Sequence, residues 1–204
     1  MRVLVACEFT GEVRRAFREL GHDAWSADLQ PAEDGSPHHL TGDVLLWLKA
    51  DWDLMVAHPS CTYLSRAGAR WWKDPERQAK AEAATEFVLA LWNAPIPRVA
   101  IENPIGQLNR RWRYPDQTIQ PWEFGHPFTK ATCLWLKNLP PLMSTVHVAH
   151  REPLIRANTS HRARNGIPQP KGALAGGLES AKTFPGIARA MAAQWGGDIR
   201  QEAA

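Results

Sequence analysis

Cys61 is the residue of this sequence best placed to act as a nucleophile. It follows a Pro-Ser dipeptide just after the apolar run 53–57, where a strand is expected to end. Free cysteines are usually small buried hydrophobic residues, a description that fits Cys7 and Cys133 better than Cys61. A cysteine nucleophile reacts as a thiolate and needs a lowered pKa or a nearby base. We therefore expect Cys61 to form a covalent bond with a substrate.

A second reactive group, Glu102, begins the sequence Glu102-Asn103-Pro104. Pro104 keeps the backbone of Asn103 out of the helical region, which fixes Glu102 at the end of its strand. A partly desolvated carboxyl that is held in its protonated form can donate a proton to a ring nitrogen. A lone Glu at a strand end is also often structural, capping a loop or pairing with an arginine. The chemical interpretation predicts that Glu102 is a protonated acid.

His58 offers a different chemistry for the same cysteine. As a base for Cys61 it would make a Cys-dependent hydrolase, although no oxyanion-hole pattern accompanies it. The pair His38-His39 suggests metal binding, but no third ligand stands at a suitable spacing. We therefore expect no metal site.

The residues around these groups predict strands and helices that alternate along the chain. Apolar runs predict strands, and apolar positions at i, i+3, i+4 and i+7 predict helices. The predicted strands are 2–6, 24–27 closing on Asp28, 53–57, 98–101 and 132–136, and the predicted helices are 13–20, 43–48, 75–92 with Asp74 as N-cap, and 184–195. Ala79, Ala83, Phe87, Val88, Leu91 and Trp92 are expected to line one face of the long helix. This alternation predicts an α/β fold, a mostly parallel sheet with helices on both faces.

Polar residues follow four of the predicted strands at the points where they end. These residues are 8–11, Asp28, 58–61 and 102–104. In an open α/β sheet, ligands bind beyond the carboxyl ends of the strands. The sequence therefore predicts one cleft that contains both Cys61 and Glu102.

These two motifs, in this order, resemble those of the cytosine-5 DNA methyltransferase family. Residues 53–65 (DLMVAHPSCTYLS) are similar to the family's catalytic motif, with a Pro before the Cys and a Ser four residues after it. Residues 101–104 are similar to the acid-Asn motif of the next strand. The resemblance implies that Cys61 adds to carbon 6 of cytosine, Glu102 protonates N3 and Asn103 positions the loop.

The resemblance also implies S-adenosylmethionine as the methyl donor. Residues 9–11 are similar to the family's first glycine-rich turn, Asp28 stands where an acidic residue holds the cofactor ribose, and residues 42–44 resemble the segment that touches adenine. The expected cofactor-binding residues are Phe9, Thr10, Gly11, Asp28, Asp43 and Pro59. The implied structure is a Rossmann-like methyltransferase fold, expected as a single catalytic domain over residues 1–204.

The sequence departs from the family in the catalytic motif and in the parts that recognise the target. Ser60 and Thr62 replace the usual second Pro and the Gln, and no large target-recognition domain is expected. The candidate for this role is an irregular basic segment, 146–177. The expected substrate-binding residues are Ser65, Arg151, Arg162 and Arg164. Trp71, Trp72, Trp112 and Trp122 could stack on bases, although core packing is the commoner role of tryptophan.

Several substrates and one other class of protein fit this pattern. Double- or single-stranded DNA is the leading substrate, a free deoxycytidine nucleotide is the alternative, and a modified S-adenosylmethionine would fit the altered first turn. A catalytically idle nucleic-acid-binding relative is a further alternative. Retention of both Cys61 and Glu102 argues against it, because binding alone requires neither.

The amino-acid composition predicts the cellular compartment of the protein. The 204 residues are 44% hydrophobic and 22% charged, with net charge +3, as in a soluble globular protein. No apolar run approaches the length of a membrane span. Three widely spaced cysteines without a CxxC pattern predict a reducing cytoplasm. Residues 183–186 and 188–196 resemble the closing helices of small phage-encoded members, which implies the host cytoplasm if the gene is a phage gene.

Overall fold

The computed structural model describes residues 1–153 and 182–197. Its strands are β1 (Arg2–Ala6), β2 (Asp23–Asp28), β3 (His39–Thr41), β4 (Leu54–Ala57), β5 (Arg98–Pro104), β6 (Gln117–Ile119), β7 (Phe128–Thr129), β8 (Thr132–Lys137) and β9 (Glu152–Pro153). Its α-helices are α1 (Glu12–Glu19), α2 (Pro75–Trp92), α3 (Leu108–Arg111) and α4 (Pro185–Met191). Shorter helical turns are the 3₁₀ turns Val44–Trp47, Arg66–Trp71 and Pro121–Glu123, and the π-helical turn Ala192–Gly196.

Seven of these strands form one sheet in the order β3-β2-β1-β4-β5-β8-β6. Strands β1 to β5 are parallel, whereas β8 runs antiparallel to both β5 and β6. Strands β7 and β9 pair separately. The expected α/β fold with a mostly parallel sheet is therefore confirmed.

The sheet is buried on both faces because successive side chains of a strand point to opposite sides. In β1, Val3 and Val5 belong to one apolar cluster, whereas Leu4 and Ala6 belong to the other. The first cluster is covered by α1 and by the C-terminal residues 187–195, and Phe17 of α1 is fully buried in it. The second cluster is covered by α2 and the turn Val44–Trp47. The helices on both faces agree with the expectation from the sequence.

Several predicted elements differ in extent or kind. Strand β5 continues to Pro104, so Glu102 and Asn103 lie inside the sheet, opposite Leu134 and Cys133 of β8. The helix predicted at 43–48 is a 3₁₀ turn that Asp43 caps by accepting a hydrogen bond from the Leu45 amide. The helix predicted at 184–195 changes from α to π geometry after Met191. Among the described residues, no helix combines the length and apolarity that a bilayer crossing requires.

An ion pair between a buried arginine and a partly exposed aspartate fixes the loop between β2 and β3 against α1. The Arg14 side chain is 1% exposed, donates to Ser26 Oγ at 2.8 Å and is hydrogen-bonded to Asp34. Asp34 also binds Arg15 at 3.0 Å. Burial acts to raise the pKa of Asp34, but hydrogen bonds from Arg14 and Arg15 outweigh it and leave that pKa below its ordinary value.

We expect Asp34→Asn to lower the free energy of unfolding by about 3 kcal/mol, because it leaves the Arg14 cation buried without its counterion. Since the folded-state pKa of Asp34 is lowered, the stabilisation is complete above the unfolded value of about 3.9 and is lost as pH falls through the folded value. Urea unfolding at pH 7 and pH 3 measures this, and the difference between variant and wild type should be larger at pH 7. Glu76→Gln, which removes an exposed i,i+4 pair with Lys80, is the control with no measurable change expected.

Candidate active site

The loop that carries Cys61 is held against the end of β5 by several hydrogen bonds. Asn103 Nδ2 donates to the Pro59 carbonyl at 2.8 Å, and the Gln107 amide donates to the Leu64 carbonyl at 2.7 Å. Ser65 forms an isolated β-bridge with Gly106. These contacts therefore fix the position of the cysteine loop relative to the strand that carries Glu102.

Cys61 lies half-buried in a tight turn, in which its carbonyl accepts from the amides of Leu64 and Ser65 at 3.0 and 2.9 Å. Burial, and then the negative charge of Glu102, raise the pKa of its thiol, while the charge of Lys130 opposes this. Cys61 is thus a thiol in the free protein at neutral pH. A substrate that removes the negative charge of Glu102 would favour the thiolate.

Glu102 is paired with His58, whose Nδ1 lies 3.0 Å from Glu102 Oε2. The two side chains are 17% and 10% exposed. Burial acts to raise the pKa of Glu102, but the hydrogen bond and charge of His58, together with the charge of Lys130, bring it below the ordinary value. The prediction that Glu102 is protonated is therefore wrong for the free protein, because His58 stabilises the carboxylate.

His58 is not placed as the base of a cysteine hydrolase. Its Nδ1 is used by Glu102, and its Nε2 is buried without a hydrogen bond in the described part of the chain. The charges that act on the Cys61 thiol are those of Glu102 and Lys130. Among the described residues, Cys61 therefore lies beside a Glu-His pair and is not paired with a histidine itself.

A cavity of about 650 Å³ opens at the carboxyl ends of β1, β2 and β4. Its walls include four of the predicted cofactor residues, Phe9, Thr10, Asp28 and Asp43. Asp28 Oδ1 accepts from the Gln30 amide at 2.9 Å and Asp43 Oδ1 accepts from the Leu45 amide at 3.0 Å, so each carboxylate is fixed through one oxygen. These four residues therefore lie in one cavity, as expected from their positions at the ends of parallel strands.

The same cavity is also lined by Glu8, one of the strand-end residues predicted for the cleft, and by Cys7, which was not predicted there. Glu8 is buried and accepts hydrogen bonds from the amides of Val13 and Arg14 at 2.7 and 3.3 Å. Cys7, expected as a core residue, instead has a left-handed backbone (φ 60°) and lines the cavity. Burial, and then Asp28 and Asp43, raise the pKa of Cys7 to about 12, so it is no nucleophile at neutral pH.

The remaining predicted cofactor residues lie beside the cavity. Gly11 takes the left-handed conformation (φ 74°) that begins α1, and an added Cβ would lie 2.2 Å from Arg14 Nη2. Pro59 is buried and faces Asn103 through its carbonyl. Neither residue is part of the cavity wall described above.

Lys130, between β7 and β8, is the site residue that sequence reasoning missed. Its positive charge lowers the pKa of both Glu102 and the Cys61 thiol. Its position two residues before the predicted strand at 132 was a signal that it lies at a strand start. The sequence did not show that β8 runs antiparallel to β5. Because it does, the start of β8 lies beside the end of β5.

Of the four predicted substrate-binding residues, the structure describes two, Ser65 and Arg151. Ser65 is half-buried at the start of the turn Arg66–Trp71. The guanidinium of Arg151 lies 3.6 Å from the ring centre of Trp122, and thus covers one face of a predicted stacking residue. Arg162 and Arg164 lie outside the described residues, as does most of the predicted basic segment 146–177.

The other predicted stacking residues have different surroundings. Trp112 packs between Trp92 and Trp135, with ring centres 5.0 and 5.9 Å away, so it belongs to the core. Trp71 is 53% exposed on the segment that follows Cys61, and Arg70 lies over its ring.

Within the described residues, His38 and His39 do not belong to a cluster of potential metal ligands. Both ring nitrogens of His39 are used, by Ser26 Oγ at 2.8 Å and by the Gln30 carbonyl at 2.9 Å. Within residues 1–153 and 182–197, no group of three or more His, Cys, Asp or Glu side chains could hold a metal ion.

No protein-family model matches this chain, and no curated protein matches it. Among solved structures, it is similar to a candidate DNA modification methyltransferase encoded within an E. coli prophage, with TM-score 0.49 and 14% identity over 72% of this chain and 52% of that one. It is also similar to a mutant of DNMT2 from Spodoptera frugiperda, with TM-score 0.40 and 14% identity over 78% of this chain and 55% of that one. The chain thus spans about half the length of these structures.

Proposed function

We propose that this chain is an S-adenosylmethionine-dependent methyltransferase that acts on carbon 5 of cytosine in DNA. The observation that carries the proposal is the pairing of a thiol and a buried carboxylate at adjacent strand ends. Cys61 follows β4, Glu102 lies in β5, and the Asn103–Pro59 hydrogen bond joins the two segments. A donor cavity opens beside them.

The cavity suits a cationic donor. The described residues that line it include three carboxylates, Glu8, Asp28 and Asp43, and no lysine or arginine. Asp28 and Asp43 each keep one carboxylate oxygen beyond the bond to the backbone, which suits the ribose hydroxyls and the amino group of adenine. S-adenosylmethionine, when bound, supplies an electrophilic methyl group on a sulfonium centre. A donor with an additional carboxylate fits this acidic wall less well.

The residues of the chain activate the cytosine ring. The Cys61 thiolate adds to carbon 6, forming a carbon–sulfur bond, while the Glu102 carboxyl delivers a proton to N3. Carbon 5 then has enamine character and can accept the methyl group. Loss of the carbon-5 proton to a base breaks the carbon–sulfur bond and restores the Cys61 thiolate, and the N3 proton returns to Glu102. Lys130 stabilises negative charge at both side chains during these steps.

The surface next to Cys61 suits a nucleic acid. The segment that follows it carries exposed Arg66, Arg70, Lys73 and the half-exposed Trp72, together with exposed Trp71. Cations neutralise phosphates, and an indole ring can stack on a base. A cytosine inside a duplex cannot reach Cys61, so the base must be flipped out or already unpaired.

Intact-protein mass spectrometry after incubation with S-adenosylmethionine and DNA containing 5-fluorocytosine tests the proposal. Fluorine leaves no carbon-5 proton to remove, so the methylated adduct should be trapped on the protein. We expect the adduct to be abolished in Cys61→Ser and retained in Cys133→Ser, in which the exchanged thiol lies in the core strand β8. Its mass identifies the transferred group. DNA would be excluded as the substrate if a 5-fluorodeoxycytidine nucleotide formed an adduct and neither single- nor double-stranded DNA did.

A further inference from the structure

His58 connects the catalytic carboxylate to the wall of the donor cavity. Its Nδ1 lies 3.0 Å from Glu102 Oε2, and the ring also forms part of the cavity wall. The side chain is 10% exposed, and its buried Nε2 makes no hydrogen bond within the described residues. A ring held by a single hydrogen bond, to a carboxylate, is arranged to pass a proton along that bond.

The charged groups around the His58–Glu102 pair come from three neighbouring elements. Glu102 lies on β5, Glu8 follows β1, and Lys130 precedes β8 and acts on the same carboxylate. Burial raises the pKa of Glu8, and the charge of His58 is the strongest effect that opposes this. His58 thus acts on two acidic side chains, Glu8 after β1 and Glu102 in β5.

We propose that His58 holds the proton that Glu102 delivers to the cytosine ring. This inference rests on the proposed function. In the free protein the pair shares one proton between His58 Nδ1 and Glu102 Oε2, which lie 3.0 Å apart. When cytosine binds, the N–H bond at His58 Nδ1 breaks, Glu102 takes that proton and gives one to the substrate, and an N–H bond forms at N3. When the thiol leaves, the proton returns by the same route, so none is consumed. His58 acts through Glu102 and is a positioning residue.

The pH dependence of adduct formation reports which group holds this proton. The reaction needs the Cys61 thiolate and the shared proton at the same time. Burial and Glu102 raise the pKa of the Cys61 thiol, so the thiol titrates at higher pH than the pair. As pH rises, the fraction of Cys61 that is thiolate increases and the rate increases with it. Above the pH at which the pair begins to lose its proton, the protonated fraction of the pair falls by the same factor, so the rate becomes constant. The plateau therefore begins at the pH where the proton holder titrates.

We expect the wild-type rate of adduct formation on 5-fluorocytosine DNA to reach its plateau clearly above the ordinary carboxyl value of about 4.3. In His58→Asn, the amide can still donate to Glu102 but carries no titrating proton. The plateau should then begin at lower pH, towards the carboxyl value of about 4.3, and its rate should fall by about 10²-fold. His38→Asn, half-buried against Trp25 and away from the site, is the matched control and should keep the wild-type profile.

Two results would overturn the role of His58. One is a wild-type plateau that begins at or below the ordinary carboxyl value. The other is a His58→Asn variant that retains the wild-type rate and profile, since the hydrogen bond alone would then suffice. The wild-type profile decides the question even if His58→Asn fails to fold, which circular dichroism would show. Absence of an adduct at any pH instead contradicts the proposed methyltransferase function.

Discussion

Glu102→Gln is expected to change two properties of the site in opposite directions. Methyl transfer should fall by about 10²- to 10⁴-fold, because the ring nitrogen no longer receives a proton during the attack. Alkylation of Cys61 by iodoacetamide at a fixed pH near 8 should become faster. Radioactive methyl transfer to DNA measures the first property, and peptide mass spectrometry after timed alkylation measures the second.

The direction of the alkylation effect follows from the charges around the thiol. Burial and the negative charge of Glu102 raise the pKa of Cys61. Glutamine removes that charge, so the pKa falls and a larger fraction of Cys61 is thiolate at pH 8. Lys130→Met is the matched opposite change, because Lys130 lowers the same pKa, and it should slow alkylation. An unchanged or slower alkylation of Glu102→Gln would show that the carboxylate does not control the thiol.

Gly106→Ala is expected to lower the free energy of unfolding by about 2–3 kcal/mol and to slow adduct formation at Cys61. A Cβ at this position would lie 1.9 Å from the Leu64 carbonyl oxygen, which itself accepts from the Gln107 amide at 2.7 Å. Both partners are backbone, so the clash displaces the loop that carries Cys61. A displacement of about 1 Å between reacting groups can cost 10²-fold in rate.

Urea unfolding measures the loss of stability, and the 5-fluorocytosine adduct measures the displacement. Gly68→Ala is the matched control. Its Cβ would lie 2.5 Å from the end of a side chain and not from backbone, Arg77 Nη2, which donates to the Thr62 carbonyl at 2.7 Å, so this variant is the control for stability and not for adduct formation. A Gly106→Ala protein as stable as Gly68→Ala would contradict the close contact between β5 and the cysteine loop.

The sequence predicted one cleft for Cys61, Glu102 and the residues at the other strand ends, but neither Cys61 nor Glu102 is among the described residues of the cavity wall. Parallel strands that alternate with helices do bring their carboxyl ends to one edge of the sheet. Phe9, Asp28 and Asp43 reach one cavity for that reason. The ionisation of Glu102 was predicted wrongly, because it depends on His58 at a sequence separation of 44 residues. The sequence contains both residues, but only the packing of β4 beside β5 determines their hydrogen bond.

Local patterns were least informative where the apolar residues were evenly distributed. Helix α2 buries Ala81, Thr85, Val88 and Leu91, whereas Ala79 and Ala83, expected on the buried face, are exposed. Its alanines lie on all sides, so periodicity cannot select one face. Thr85 satisfies its buried hydroxyl by donating to the Ala81 carbonyl at 2.7 Å. The three-residue strands β3 and β6 are too short to show a period, and only their neighbours in the sheet define them.

The packing of residues 187–195 over α1 determines when the protein can complete its folding during synthesis. Phe17 and Val13 are translated early, but the side chains that cover them, among them Ile187 and Trp195, are translated late. At about 5–20 residues per second, roughly ten seconds or more separate the two segments on the ribosome. During that interval one apolar face of the nascent sheet is open to chaperones and to other chains. A ribosome that stalls before α4 therefore yields a polypeptide that contains Cys61 and Glu102 but cannot close its core.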